Sequence, residues 1–210
     1  MAILRTLLFT LTLLAASTQS VSAGQVPAGA LILAVPPYLP GPEIQRRFGP
    51  LANHLGQVLG RPVSVRVGQD YDQHIAAIVQ DGVDIAFLGP AAYVRMVDKY
   101  GSKPILGRFQ VGDDPHLYGV FAVRRDSHMQ RLEDLRGKRF AFGDPQSTMS
   151  HLVPRYMLLQ AGVPLDALGD YRYLGSHRDV ALGVLAGDFD AGAMKREIYD
   201  EFAPRGLRLL

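Results

Sequence analysis

From Leu31 onward, apolar runs of strand length alternate with stretches whose apolar residues recur at helical spacing. Leu31 to Val35 reads as a strand, followed by the proline-rich turn Pro36 to Pro42. In the next segment Ile44, Phe48, Leu51, Leu55 and Leu59 return every three or four residues and predict a helix. Val63 to Val67 predicts a second strand, Asp72 to Asp81 a helix, Ile85 to Leu88 a short strand, Ala91 to Tyr100 a helix, and Ile105 to Phe109 a strand. The chain then turns polar between Gly107 and Tyr118, with Gly112-Asp113-Asp114-Pro115 as a turn signal. A second set follows: strands at Tyr118 to Val123, Arg139 to Phe142, Tyr171 to Leu174 and Ala191 to Ala193, with helices after Ser147 and Ser176. Leu207 to Leu210 is a last strand-like run.

This alternation is that of an α/β protein with mainly parallel sheets. The polar stretch at 107–118 is the candidate hinge between two lobes, which places a ligand cleft beyond the carboxyl ends of the strands. The expected division is a signal peptide at 1–23, lobe 1 at 24–117, lobe 2 at 118–205, and at 206–210 the start of a return strand to lobe 1. Lobe 1 would be incomplete without a C-terminal return segment, so C-terminal truncation is the expectation.

The N-terminus departs from the pattern. Arg5, the apolar run Leu7 to Ala16, the polar Ser17 to Ser20 and the small residues Val21-Ser22-Ala23 match the order of a cleaved secretion signal. Its apolar run is shorter than the roughly 20 residues a membrane helix needs. The absence of cysteine excludes disulfides, thiolate metal sites and thiol nucleophiles, and with the signal it points to the periplasm. With 22 basic against 20 acidic residues, the charge balance gives no case for nucleic acid or an anionic membrane.

Four strand-to-helix junctions carry the candidate chemistry. The run Arg139 to Pro154, RFAFGDPQSTMSHLVP, leads from a strand through Gly143-Asp144-Pro145 into hydroxyl residues that open a helix. Unpaired N–H groups and the helix dipole at such a start collect an oxyanion, and Ser147, Thr148 and Ser150 add hydroxyl donors. Ordinary capping by Ser147 is the alternative. Pro154 lies too deep for a first turn and is expected to kink the helix. In Gly175-Ser176-His177-Arg178-Asp179, Ser176 is an N-cap with Asp179 as its capping-box partner. His177 then projects from a helix start, as an anion donor or as a lone surface histidine. Tyr71, in Gln69-Asp70-Tyr71-Asp72, can hold a phenol over the cleft, and the strand ending at Leu88-Gly89-Pro90 exposes N–H groups near Gly89.

In this order and behind a signal peptide, these segments resemble the phosphonate-binding family of periplasmic solute-binding proteins that serve ABC importers. The stretch GDPQSTMSHLVP is similar to the family pattern Gly-Asp-Pro-x-Ser-Thr-Ser-Gly-x-x-x-Pro at its anion-holding helix start. The resemblance implies a type II two-lobed binding protein, not an enzyme, whose ligand-binding residues are Tyr71, Gly89, Ser147, Thr148, Met149, Ser150, His177 and Glu197. Glu197 matches a carboxylate that receives a ligand amino group in some members. Met149 stands where the pattern has serine, Leu88 where aminophosphonate binders have an aromatic hydroxyl, and Lys195-Arg196 precede Glu197. These differences point away from an aminoalkylphosphonate and leave phosphonate, phosphite and phosphate open. The implied protein is a monomer without cofactor or metal that hands a small oxyanion to an ABC permease in the inner membrane. A sensor partner of a membrane kinase or chemoreceptor with the same fold is the alternative. No nucleophile elbow, dinucleotide fingerprint, phosphate loop or zincin motif occurs, and no histidine spacing suits a metal.

Overall fold

The computed structural model describes residues 27–108, 110, 114 and 116–210. The signal segment at 1–23, Phe109, and most of the Gly112 to Pro115 turn lie outside the described residues. Strand β1 (Leu31–Val35), helix α1 (Gly41–Leu59), β2 (Val63–Val67), α2 (Tyr71–Val79), β3 (Ile85–Ala86) and α3 (Pro90–Tyr100) form the first half. Its sheet is wholly parallel, in the order β2-β1-β3. The strand expected near Ile105 does not form, and Ile105 to Arg108 are irregular and exposed.

The second half holds β4 (Gly119–Arg124), β5 (Arg139–Phe142), α4 (Val153–Gln160), β6 (Asp170–Tyr173), α5 (His177–Ala186), β7 (Ala191–Lys195), α6 (Arg196–Phe202) and β8 (Leu207–Leu209). Its sheet runs β6-β5-β7-β4-β8. The first three strands are parallel, while β4 and β8 are antiparallel to their neighbours. At Leu207–Leu209 the chain is therefore an edge strand of this second sheet. The observed elements are those of an α/β fold with mostly parallel strands. No helix among the described residues is long and apolar enough to cross a membrane.

Strand alternation divides the core. On β5, Phe140 and Phe142 face one cluster with Phe121, Val123 and Leu158, whereas Ala141 faces another. That other cluster is continuous between the halves, joining Ile44, Phe48 and Met96 to Val180, Met194 and Phe202. At Gly192 a Cβ would sit 2.6 Å from a Val180 methyl, so glycine there lets α5 lie close on β7. In α1 the buried apolar stripe is Ile44, Phe48 and Ala52; Leu51 and Leu59, expected on it, are exposed. Steps of four residues follow the buried face, and Leu51 falls at its margin, about a sixth of a turn from its centre.

Candidate functional site

All six parallel strands end at one small cavity of about 30 Å³. Tyr38 follows β1, Tyr71 follows β2, Phe87 and Gly89 follow β3, Ser147 to Met149 follow β5, His177 follows β6, and Lys195 ends β7. The same junctions are helix starts. Tyr71 is the first residue of α2, Gly89 the N-cap of α3, His177 the first residue of α5 and Lys195 the N-cap of α6. The aligned peptide dipoles therefore place partial positive charge around the cavity.

The Ser147 turn is built differently from the expected helix. Thr148–Leu152 forms a π turn, and α4 begins at Val153 with Pro154 in its first turn and no kink in a longer α-helix. Proline has no N–H for the carbonyl of Ser150, four residues before it. That carbonyl accepts instead from the Gly143 N–H at 3.3 Å, and the Ser150 hydroxyl accepts from the same N–H at 2.7 Å. The wide turn satisfies the groups that a proline inside a regular helix would strand.

The Ser150 hydroxyl also donates to the Ala193 carbonyl at 2.5 Å, so both its capacities are used. Ser150 is fully buried and does not line the cavity. Ser147, 3% exposed, does. Its Oγ caps the turn by accepting from the Ser150 N–H at 3.2 Å and lies within hydrogen-bond reach of the Tyr71 phenol. The first intrahelical bond is made by His151, which leaves the N–H groups of Thr148 and Met149 ahead of it. Thr148 Oγ1 accepts from the Ala91 N–H of α3 at 2.9 Å and keeps its own hydrogen to donate. Met149 forms an apolar wall and packs on Gly119, where a Cβ would meet its carbonyl oxygen at 2.9 Å.

His177 is a buried neutral donor with a set tautomer. The Lys195 backbone N–H donates to Nδ1 at 3.0 Å, so the hydrogen sits on Nε2, 3.3 Å from Ser147 Oγ. Burial, with Lys195 nearby as a lesser cause, pulls its pKa down to about 3. The surface role is thus excluded: His177 is 1% exposed and its own N–H donates to the Tyr38 carbonyl at 3.0 Å. Burial raises the Tyr71 phenol well above its ordinary range, with Asp144 adding to the shift. Burial, helped by Glu197, pushes Tyr38 up to about 12. Both phenols remain protonated donors at neutral pH.

Tyr38 and Lys195 were not among the site residues read from the sequence, although each stands at a strand's carboxyl end. The Lys195 ammonium lies 4.3 Å from the centre of the Tyr38 ring and 5.9 Å from that of Phe87. Burial lowers its pKa and Glu197 partly offsets the shift. Glu197 itself is half-buried in the first turn of α6 and does not line the cavity, and neither does Leu88. The wall carries no carboxylate among the described residues; its polar side chains are hydroxyls, a neutral imidazole and one ammonium. Such a surface offers donors to a ligand rich in acceptors.

Bonds between the halves close over this site. Besides Thr148 with Ala91 and His177 with Tyr38, the Gln146 amide donates to the Asp72 carboxylate. Farther out, Arg178 of α5 pairs with Glu43 of α1 at 2.8 Å and with Glu201 of α6 at 2.7 Å, and Arg47 joins both carboxylates.

A family model described as "ABC transporter, phosphonate, periplasmic substrate-binding protein" matches residues 33–210. The phosphate-import protein PhnD of Mycolicibacterium smegmatis is 28% identical over 184 residues, 83% of this chain and 57% of the relative. A probable ABC transporter phosphite binding protein of Prochlorococcus marinus is 24% identical over 165 residues, 75% of this chain and 55% of the relative. The chain thus spans about half the length of these curated relatives. Among solved structures, PhnD1 of Prochlorococcus marinus in complex with methylphosphonate superposes with a TM-score of 0.76 at 23% identity, covering 87% of this chain and 71% of that one. That likeness concerns the fold.

Proposed function

The chain belongs to the periplasmic substrate-binding proteins of phosphonate ABC transporters, a family of binding components and not of enzymes, and on that premise we propose that its cavity holds a small phosphorus oxyanion for an inner-membrane permease. Phosphonate, phosphite and phosphate are the ligands in question. The observation that carries the reading is the cavity wall itself. Ser147, Thr148, Tyr71, Tyr38 and His177 converge on it as donors, with no carboxylate among the described wall residues to repel an anion. An anion there gains charge-assisted hydrogen bonds stronger than the neutral contacts of Ser147 with His177 and Tyr71 that it competes with. The small volume and the Met149 wall favour a compact ligand over one with a long polar tail. In this reading residues 1–23 direct export, the protein acts as a monomer in the periplasm, and Tyr71, Gly89, Ser147, Thr148, Met149 and His177 form the ligand wall. Ser150 shapes that wall from behind.

A thermal-shift panel of phosphate, phosphite, methylphosphonate, sulfate and nitrate tests the assignment. A ligand at 100 times its dissociation constant stabilises a fold by about 2.7 kcal/mol, which for a chain of this size raises Tm by about 5–10 °C. A shift from at least one phosphorus oxyanion is expected. No shift from any of them at millimolar concentration would overturn the reading.

A further inference from the structure

We infer that Lys195 sets the charge selectivity of the cavity, so that the site takes an oxyanion with two negative charges and disfavours ligands carrying an ammonium group. This inference rests on the oxyanion reading of the same site and narrows it to a ligand class.

The Lys195 backbone is held by strand pairing with Gly119 and by its N–H bond to His177 Nδ1, which anchors the residue at the cavity rim. Its side chain then lies over the faces of Tyr38 and Phe87, both of which line the cavity. Among the described residues no carboxylate lies within ion-pair distance of its ammonium. Arg47 and Arg178 share Glu43 and Glu201, and Arg196 bonds Asp200 at 2.8 Å. Lys195 is therefore the cation among the described residues of the cavity wall, with no carboxylate in contact and Glu197 acting on it without an ion pair.

The remaining wall donors are neutral. Two hydroxyls, two phenols, an imidazole and free N–H groups suit one delocalised charge, as a sulfonate or a singly ionised phosphonate carries. A second ionised oxygen makes the attraction of a cation worthwhile against the desolvation of both groups, because the charges meet away from bulk water. The same cation repels an ammonium on a ligand tail. Glu197 is half-buried, does not line the cavity, and acts through its charge on both Lys195 and Tyr38.

Calorimetry at about pH 8 separates these effects with isosteric probes: methylphosphonate, which is largely doubly charged once above its second ionisation, and methanesulfonate, which carries one charge. The intact protein should prefer methylphosphonate by about tenfold or more. Lys195→Met should lose about 10- to 100-fold for methylphosphonate, the range of one hydrogen bond to a charged group, while methanesulfonate changes little. Lys195→Arg should keep the preference, which separates a charge role from a packing role. Ethylphosphonate should bind the intact protein better than 2-aminoethylphosphonate, and Lys195→Met should narrow that gap. Equal affinity of the intact protein for methylphosphonate and methanesulfonate would overturn the inference whether or not the variants fold. So would a Lys195→Met variant that loses both anions alike. In either case phosphonate binding by the intact protein would leave the oxyanion reading standing. Binding of none of the phosphorus oxyanions would remove both.

Discussion

Acid should destabilise this protein through His177. In the unfolded chain a histidine takes a proton near its ordinary value of about 6.5, whereas burial holds His177 neutral down to about 3. Its folded-state pKa lies below the unfolded one, so the unfolded state binds the extra proton as pH falls between those values. Stability attributable to this group is complete above about 6.5 and declines below it, with a slope of about 1.4 kcal/mol per pH unit once the unfolded histidine is protonated. Between pH 7 and pH 5 the loss is about 2 kcal/mol. Burial also lowers His74 and His151, which add in the same direction. Urea unfolding followed by far-ultraviolet circular dichroism at pH 7 and pH 5 measures the total. The His177→Gln variant keeps an acceptor for the Lys195 N–H and a donor toward Ser147 but cannot protonate. Its loss between the two pH values should be smaller than that of the parent by about 2 kcal/mol. An identical loss in parent and variant would refute the buried, neutral assignment of His177.

Gly143→Ala should place a Cβ 2.6 Å from the Ser150 hydroxyl and 2.9 Å from its Cβ, at a cost of about 1–3 kcal/mol for overpacking. An unchanged melting temperature would show that the π turn is not held as described. Arg178→Ala removes one of the two guanidinium groups that link Glu43 and Glu201 across the two halves. Glu43 is the most buried partner; burial raises its pKa but Arg47 and Arg178 outweigh that and hold it below the usual carboxylate range. The network is partly exposed, so a loss of about 1–3 kcal/mol in urea unfolding is expected at neutral pH. The difference between parent and variant should shrink as acid protonates Glu43.

The α/β pattern and the strand ends were legible because apolar runs and capping residues are local signals. Ser176 shows this: it caps α5 and bonds Asp179, as the spacing predicts. What lay beyond the sequence was the partner on the other side of each group. Ser147 and Ser150 are alike in sequence, yet one hydroxyl faces the cavity and the other is consumed by Gly143 and Ala193. Pro154 signals a broken ladder, but only the placement of β5 beside the turn shows that Gly143 takes up the freed carbonyl. In the sequence Lys195 stands out only as a basic residue preceding Glu197. The strand-to-helix transition separates them, leaving the lysine on the cavity wall and the glutamate behind it. Tyr38 sits in a proline-rich turn that carries no ligand signature and was missed; its position after the carboxyl end of β1 is the one signal that could have found it.

The central claim is that the donors of the Ser147 turn hold a phosphorus oxyanion. Isothermal titration of methylphosphonate, phosphite and phosphate into the parent protein and into a Ser147→Ala, Thr148→Ala double variant tests it directly. Saturable binding of at least one of these anions by the parent is expected, with a loss of about 3–6 kcal/mol in the variant, two hydrogen bonds to a charged group at about 1.5–3 kcal/mol each. Equal affinity in parent and in a folded double variant would contradict it.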